Sequence, residues 1–297
     1  MKTLLFSICG TLFMLKVHCE SYATPMIYPL IAYGTTIVAL ALVTRAIRQL
    51  LAIYKKGQPD PTRGDIKKER LANMLKETLG HTKMLNFSVT GVAHWFVMVG
   101  FGSLFGTLIT AYGQVTNPEF ALPIIGHWTP YLYFTQFIAW ATGIGIVTLI
   151  AIRQGNRWFH KGRTSRFLGS VSWRAYYVEA TILAVVVCVV TLYHLEHTNP
   201  TSEWIKFWAT TKIVVSMAWF IVISMNLTMG VAWHRFLAFF NVFYKRDTGD
   251  LSKPSLGALP VMLSHGKEIN FEDPADDDVF GLGERADITW KALLDMT

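Results

Sequence analysis

The run from Leu79 to Tyr112, LGHTKMLNFSVTGVAHWFVMVGFGSLFGTLITAY, restricts the fold more than any other stretch. It is long and apolar enough to cross a bilayer. There each backbone N–H and C=O must find its partner inside the segment, so the run reads as a helix. It buries His94 among Val, Phe and Gly and carries His81 near its start. An ionisable side chain inside a membrane helix is costly and marks a functional position by default. What His94 faces, and which segment supplies its partner, depends on the rest of the chain.

Hydrophobic residues make up 52% of the sequence and charged residues only 16%. Soluble domains carry about 25% charged residues, so a soluble globular protein is excluded. Aromatic residues reach 13%, with ten Trp. Such side chains favour bilayer interfaces but also pack flat cofactors, and the count does not choose between these uses. The net charge of +7 sits in particular loops between apolar runs. That placement points to membrane orientation and anionic lipid rather than to nucleic acid. The cysteines are Cys9, Cys19 and Cys188, with no CxxC. The chain itself therefore lacks the usual four-thiolate spacing for an iron–sulfur cluster.

Residues 1–23 pair Lys2 with an apolar run and end on Ser21-Tyr22-Ala23, a signal-peptide pattern. Five apolar spans follow at 26–51, 84–112, 131–152, 175–197 and 205–233. The loop 52–83 carries Lys55, Lys56, Arg63, Lys67, Lys68, Arg70, Lys76 and Lys83. The loop 153–174 carries Arg153, Arg157, Lys161, Arg163, Arg166 and Arg174. The loops 113–130 and 195–204 hold no Lys or Arg. The positive-inside rule then predicts an all-α, five-helix bundle in the cell's inner or plasma membrane, with its N-terminus outside and its tail cytoplasmic. Gly102 and Gly106 form a small-xxx-small face suited to close helix packing. No inverted repeat is visible, which weakens a transporter reading. The membrane domain is expected over 24–244. The tail 245–297 reads as a linker around the acidic run Glu272–Asp278, whose spacing does not fit a calcium loop.

The membrane-associated histidines are His81, His94, His194, His197 and His234. A b-type haem needs two imidazoles on facing helices at one depth. Counted from Met84, His94 lies about 15 Å inside its span. His81 and His234 both lie at the basic end, so depth favours that pair, and His94 falls level with the neighbourhood of Ser216. Each histidine also has a structural reading, as a core or interfacial residue. Lys212 lies two turns inside the charge-poor end, within reach of the interface by snorkelling. Arg235, beside His234, is the better candidate for a haem propionate.

Three stretches then carry a resemblance: GVAHWFVMVGF, WHRFLAFFNVFYKR and INFEDPADDDVFGLGERADITWKALLDMT. With the loop KGRTSRFLGS they resemble the membrane-bound, heterodisulfide-reductase-like iron–sulfur oxidoreductases of the actinobacterial type, over most of residues 26–297. In that family a five-span domain similar to the gamma subunit of respiratory nitrate reductase precedes a cytoplasmic domain with cysteine-rich cluster motifs. The resemblance implies an electron-transfer subunit. Electrons would pass from an iron–sulfur module or electron-transfer flavoprotein, through haem b, to menaquinone. Iron–sulfur clusters are expected only in a missing domain or a partner, because the cluster motif that follows DITWKALLD in the family is not among these residues. His94 matches the family's span-2 histidine, and His234 the inner of its two span-5 histidines. The outer one would fall near Ser216, so one haem is implied, with His94 and His234 as its iron ligands. The family has no counterpart of His81, and a His81–His234 pair would be particular to this chain. The alternative is a non-redox membrane anchor for a soluble iron–sulfur oxidoreductase.

Overall fold

The structure is a computed structural model that describes residues 2–159, 171–246, 263–264, 267–280 and 288–296, the side chains of 2–25, 62 and 263 excepted. Expectations for Lys161, Arg163, Arg166 and the KGRTSRFLGS loop, and for 247–262 and 281–287 in the tail, lie outside the described residues. So do those for the side chains of the signal-like segment.

The described chain is mostly helical. Its helices are α1 (Lys2–Tyr54), α2 (Lys67–Thr78), α3 (Val89–Ser103), α4 (Phe105–Gln114), α5 (Thr129–Phe159), α6 (Ser172–Thr198), α7 (Glu203–Met225), α8 (Gly230–Phe243) and α9 (Trp290–Asp295). A two-residue antiparallel pair, β1 (Leu263–Ser264) and β2 (Lys267–Glu268), completes the secondary structure. Among the described residues, five segments are long and apolar enough to cross a membrane: Met26–Tyr54, Val89–Gln114, Thr129–Phe159, Ser172–Thr198 and Glu203–Met225. The chain is therefore a helical membrane protein, with the number of spans expected from hydropathy.

Two boundaries differ from that expectation. The second span starts at Val89 rather than at residue 84, because Met84–Phe87 form a separate 3-10 turn. The fifth ends at Met225 rather than at residue 233. There the chain turns through residues 226–229 and restarts as α8. Apolar composition alone masks this break. The indole N–H of Trp233 closes it, donating to the carbonyls of Ile223 (3.2 Å) and Asn226 (3.3 Å), which the ended helix leaves over.

One compact unit comprises Met1–Ala41, Phe96–Ala151 and Tyr176–Val222. Its core gathers Ala32, Ala39, Ala111, Val115, Leu192, Ile205, Ala209, Ile213 and Met217. The α1 side chains Leu30, Ile37 and Leu40 are well exposed, whereas Ala32 and Ala39, seven residues apart, are fully buried. α1 thus turns a small-residue stripe inward and presents its large apolar side chains to lipid. Thr36 and Tyr112 join α1 to α4 by a hydroxyl–hydroxyl bond of 2.6 Å. The span α3–α4 is interrupted at Leu104, whose carbonyl accepts the Thr107 hydroxyl at 2.6 Å. Such a side-chain bond competes with the helical ladder and bends it. Lys212 does not snorkel. It is only 2% exposed and donates to Thr107 Oγ1 at 2.6 Å, because a hydroxyl is available at that bend.

Gly100 sets the spacing of α3 and α5. A Cβ there would collide with the Thr142 side chain, whose hydroxyl donates to the Phe96 carbonyl at 3.2 Å. Gly100→Val is expected to cost about 1–3 kcal/mol through overpacking, read as a lower thermal midpoint of the detergent-solubilised chain. An unchanged midpoint would show that this contact does not hold α3 to α5.

The second unit comprises Leu42–Trp95, Ile152–Ala175 and Ile223–Thr297. Here α2 packs on α8. Arg70, 1% exposed, grips Asp65 Oδ1 through Nε and Nη2 (3.0 and 2.7 Å), and its Nη1 donates to the carbonyls of Phe243 (3.2 Å) and Lys245 (2.7 Å). Glu77 accepts from Lys245 (2.5 Å) and Lys83 (3.0 Å). α9 docks rather than projecting freely. Gln58 N–H donates to the Ile288 carbonyl (2.8 Å), Trp290 N–H donates back to Gln58 (3.0 Å), and Leu293 and Leu294 are buried. Gly57 is required at that contact, since a Cβ would lie 2.5 Å from Trp290 N. The acidic run is exposed from Glu272 to Asp277.

Burial pulls the Glu77 carboxyl upward, but the hydrogen bonds from Lys245 and Lys83 outweigh it and hold the group below the ordinary range. A depressed carboxyl stabilises the fold above its unfolded value of about 4.3, and this contribution is lost as pH falls through the lower folded value. Glu77→Gln should therefore cost about 2 kcal/mol at pH 7, with the gap from wild type closing in acid. Thermal melts at neutral and acid pH check this. A gap that persists unchanged in acid would remove the ionic account.

Candidate functional site

Three histidines converge in the second unit, from three different elements. The chain leaves α2 through Leu79 and Gly80. At Gly80 a Cβ would stand 2.5 Å from the Lys76 carbonyl oxygen. His81 follows in the left-handed region at φ 52° and is 7% exposed. That conformation costs a non-glycine residue about 1–2 kcal/mol, so the turn holds His81 in place through other contacts. Ser88, at φ 51°, reverses the chain into α3. Gly91 lets the first turn of α3 lie against the 3-10 turn, where a Cβ would collide with the Met84 carbonyl. Trp95 staples the two parts, its indole N–H donating to the Leu79 carbonyl at 3.0 Å.

This packing sets His81 Nε2 at 2.8 Å from His94 Nδ1, with the rings stacked at 5.0 Å between centroids and 18° between planes. The ring of His234, on α8, lies 6.1 Å from that of His94 and is tilted by 40°. The helix-depth count separated His94 from His234 because it began the span at Met84 and ran the fifth span on to residue 233. With α3 starting at Val89, His94 is only about 8 Å along its helix. His234 sits on a helix of its own. The two histidines share one level after all.

The hydrogen bonds determine where the ring protons lie. A carbonyl only accepts, so His81 Nδ1, 3.2 Å from the Thr78 carbonyl, carries a proton, and with that ring neutral its Nε2 is the acceptor. His94 Nδ1 must then donate to His81 Nε2, and His94 Nε2 is left with its lone pair. His234 Nδ1 donates to the Gly230 carbonyl at 3.2 Å, one turn back, which makes its Nε2 the lone-pair nitrogen too. α8 lies outside the five membrane-long helices. Burial, then the neighbouring Arg235, pushes the His234 imidazole down to about 4, so it is neutral at pH 7.

Two neutral imidazoles with lone pairs on Nε2, each held by a hydrogen bond at Nδ1, are the usual preparation for metal ligation. Those Nε2 atoms are the nitrogens that could ligate an ion, on rings whose centroids lie 6.1 Å apart. Among the described residues no group of three or more His, Cys, Asp or Glu side chains is arranged to hold a metal ion. His194 and His197 are exposed residues of the other unit, and His197 Nδ1 donates to the Tyr193 carbonyl at 2.8 Å.

Sequence reasoning singled out His81, His94, His234 and Arg235 but not Thr78 or Gly230, whose carbonyls hold two of the rings in place. The spacing of Gly230 four residues before His234 was the one available signal. Comparison with protein families, with curated proteins and with solved structures returns no match.

Proposed function

We propose that the chain is a membrane electron-transfer subunit, which relays electrons between a cytoplasmic iron–sulfur or flavoprotein partner and the menaquinone pool through haem b. The observation that carries this reading is the pair of fixed-tautomer histidines, His94 and His234, with ring centroids 6.1 Å apart. The resemblance of the three stretches to heterodisulfide-reductase-like membrane oxidoreductases supports it. Bound there, haem b supplies a one-electron redox centre that no side chain of this chain provides. His94 and His234 would ligate its iron. His81 orients His94 and makes it more basic by accepting the Nδ1 proton. Arg235, next to His234, supplies positive charge for a propionate. The basic loops of this unit orient it towards the cytoplasm of an inner or plasma membrane, where the iron–sulfur partner and electron-transfer flavoprotein would dock.

The test is a reduced-minus-oxidised spectrum of the full chain purified from membranes. The expected result is the Soret and alpha bands of a six-coordinate, low-spin b-type haem. Their absence after expression with haem supplied would withdraw the reading and leave the alternative, a non-redox anchor for an iron–sulfur oxidoreductase.

A further inference from the structure

The helix α2 is amphipathic with its faces reversed. A helix that packs on its own protein ordinarily turns its apolar side chains inward and its charged ones outward. α2 turns inward Arg70 and Asn73, both buried, and Glu77, whose side chain is 7% exposed. Arg70 is taken up there by Asp65 and the end of α8, and Glu77 by Lys245 and Lys83. Leu71, Leu75 and Leu79 face the other way and are 48%, 42% and 55% exposed. Four residues apart, they make one stripe about 80° wide on the side opposite the buried three. Lys67 and Lys76 border it, about 80° to one side of Leu75 and about 100° to the other. Lys68 lies nearly in line with Leu75, about two turns towards the N-terminus. All three lysines are exposed. Glu69 stands outside the stripe, beyond Lys76.

The apolar surface does not end with the helix. Leu85, Phe87, Val89 and Val92 are exposed in turn, and they lead into the membrane-long segment that starts at Val89. At the other end Ile66 is exposed and left-handed, at φ 34°. That conformation is costly for a β-branched residue, and water offers its side chain nothing in return. A leucine stripe continuous with a membrane span and bordered by lysine on both sides has the chemistry of an interfacial helix. Its leucines enter the acyl boundary, while the lysine stems run along the apolar surface and bring their ammonium groups up to the phosphates. A protein partner covering the same stripe would have to bury lysines, which the cores of protein interfaces avoid.

We propose that α2 is an interfacial anchor that binds anionic phospholipid. Leu71, Leu75 and Leu79 enter the membrane surface, and Lys67, Lys68 and Lys76 bind the headgroup phosphates. The opposite face stays on α8 through Arg70, so one helix joins the lipid surface to the unit that carries the three histidines. The proposal does not rest on haem binding. Each basic side chain close to an anionic surface strengthens the attraction about fivefold.

The test is photo-crosslinking of the full chain in nanodiscs of mixed phosphatidylcholine and phosphatidylglycerol. A benzophenone is attached at Leu75→Cys, and adducts on the peptide containing position 75 are identified by mass spectrometry. The parent chain treated with the same reagent gives the background from its own cysteines. The expected adducts are lipids, with phosphatidylglycerol enriched about fivefold or more over its share of the nanodisc. Replacing the three lysines together, as Lys67→Gln, Lys68→Gln and Lys76→Gln, should keep the lipid adducts and bring their ratio close to that of the bulk. Absence of lipid adducts at position 75 means that water or a protein partner meets this face, and overturns the proposal. Lipid adducts that mirror the bulk composition overturn the choice of anionic headgroups. Both outcomes are read with the lysines intact, so neither depends on the triple variant folding. An enrichment unchanged in that variant overturns the role of the lysines.

Discussion

If the chain binds haem b as proposed, replacing His94 or His234 with alanine is expected to abolish its b-type absorbance, whereas replacing His81 with glycine is expected to weaken haem binding without abolishing it. This is the largest effect expected on the proposed function. The reason lies in the hydrogen-bond chain from the Thr78 carbonyl through His81 to His94. In that chain His81 spends both ring nitrogens on hydrogen bonds, so under the proposed function it would position His94 as a ligand rather than act as one. Losing an outer partner of a metal-binding histidine costs about 10–100-fold in affinity; losing an axial imidazole removes the bond itself. Glycine is the informative choice at position 81, because φ is 52° there and glycine adopts it without strain. Any loss then reports the missing imidazole and not a distorted turn. Haem titration of the apo chain, followed at the Soret band, separates the cases. Should His81→Gly abolish the bands while His94→Ala retains them, the ligand pair would be His81 with His234, the pair that helix depth alone favours.

Arg70→Met should destabilise the second unit by about 1–3 kcal/mol, the range for leaving hydrogen-bonded carbonyls without their donor. Its guanidinium binds Asp65 and also the carbonyls of Phe243 and Lys245, at the end of α8. Methionine fills similar volume but leaves those carbonyls without their donor. α2 should then loosen from α8. Because α2 supplies the Thr78 carbonyl and α8 supplies His234, the two ends of the histidine cluster should lose register together. Limited proteolysis between Asp65 and Lys83, with a thermal melt, measures this. A wild-type melt and wild-type protection would show that apolar packing alone holds α2 in place.

These two expectations differ in how far the sequence foreshadows them. His94 and His234 stand out in any reading, since imidazoles in apolar runs are few. Arg70 does not, being one of eight basic residues in a loop that reads as a solvated positive-inside signal. Its burial depends on α8 folding back as a separate helix, and apolar composition gives no sign of the break after Met225. Lys212 is a comparable case. Snorkelling was a sound inference from its depth, but it failed because Thr107, more than a hundred residues earlier, offers a hydroxyl where Leu104 interrupts its helix.

The sequence by itself determined that this is a helical membrane protein, that five of its described segments are long and apolar enough to cross a bilayer, and which loops carry the positive charge. Each of those follows from the transfer free energy of segments about twenty residues long, and a sum along the chain needs no knowledge of neighbours. Only the tertiary structure decided which histidine meets which. That depends on where helices start and stop to within one turn, and a turn moves a side chain by about 5.4 Å. Two breaks that hydropathy averages away, before Val89 and after Met225, bring His94 level with His234 and give His81 the task of holding His94.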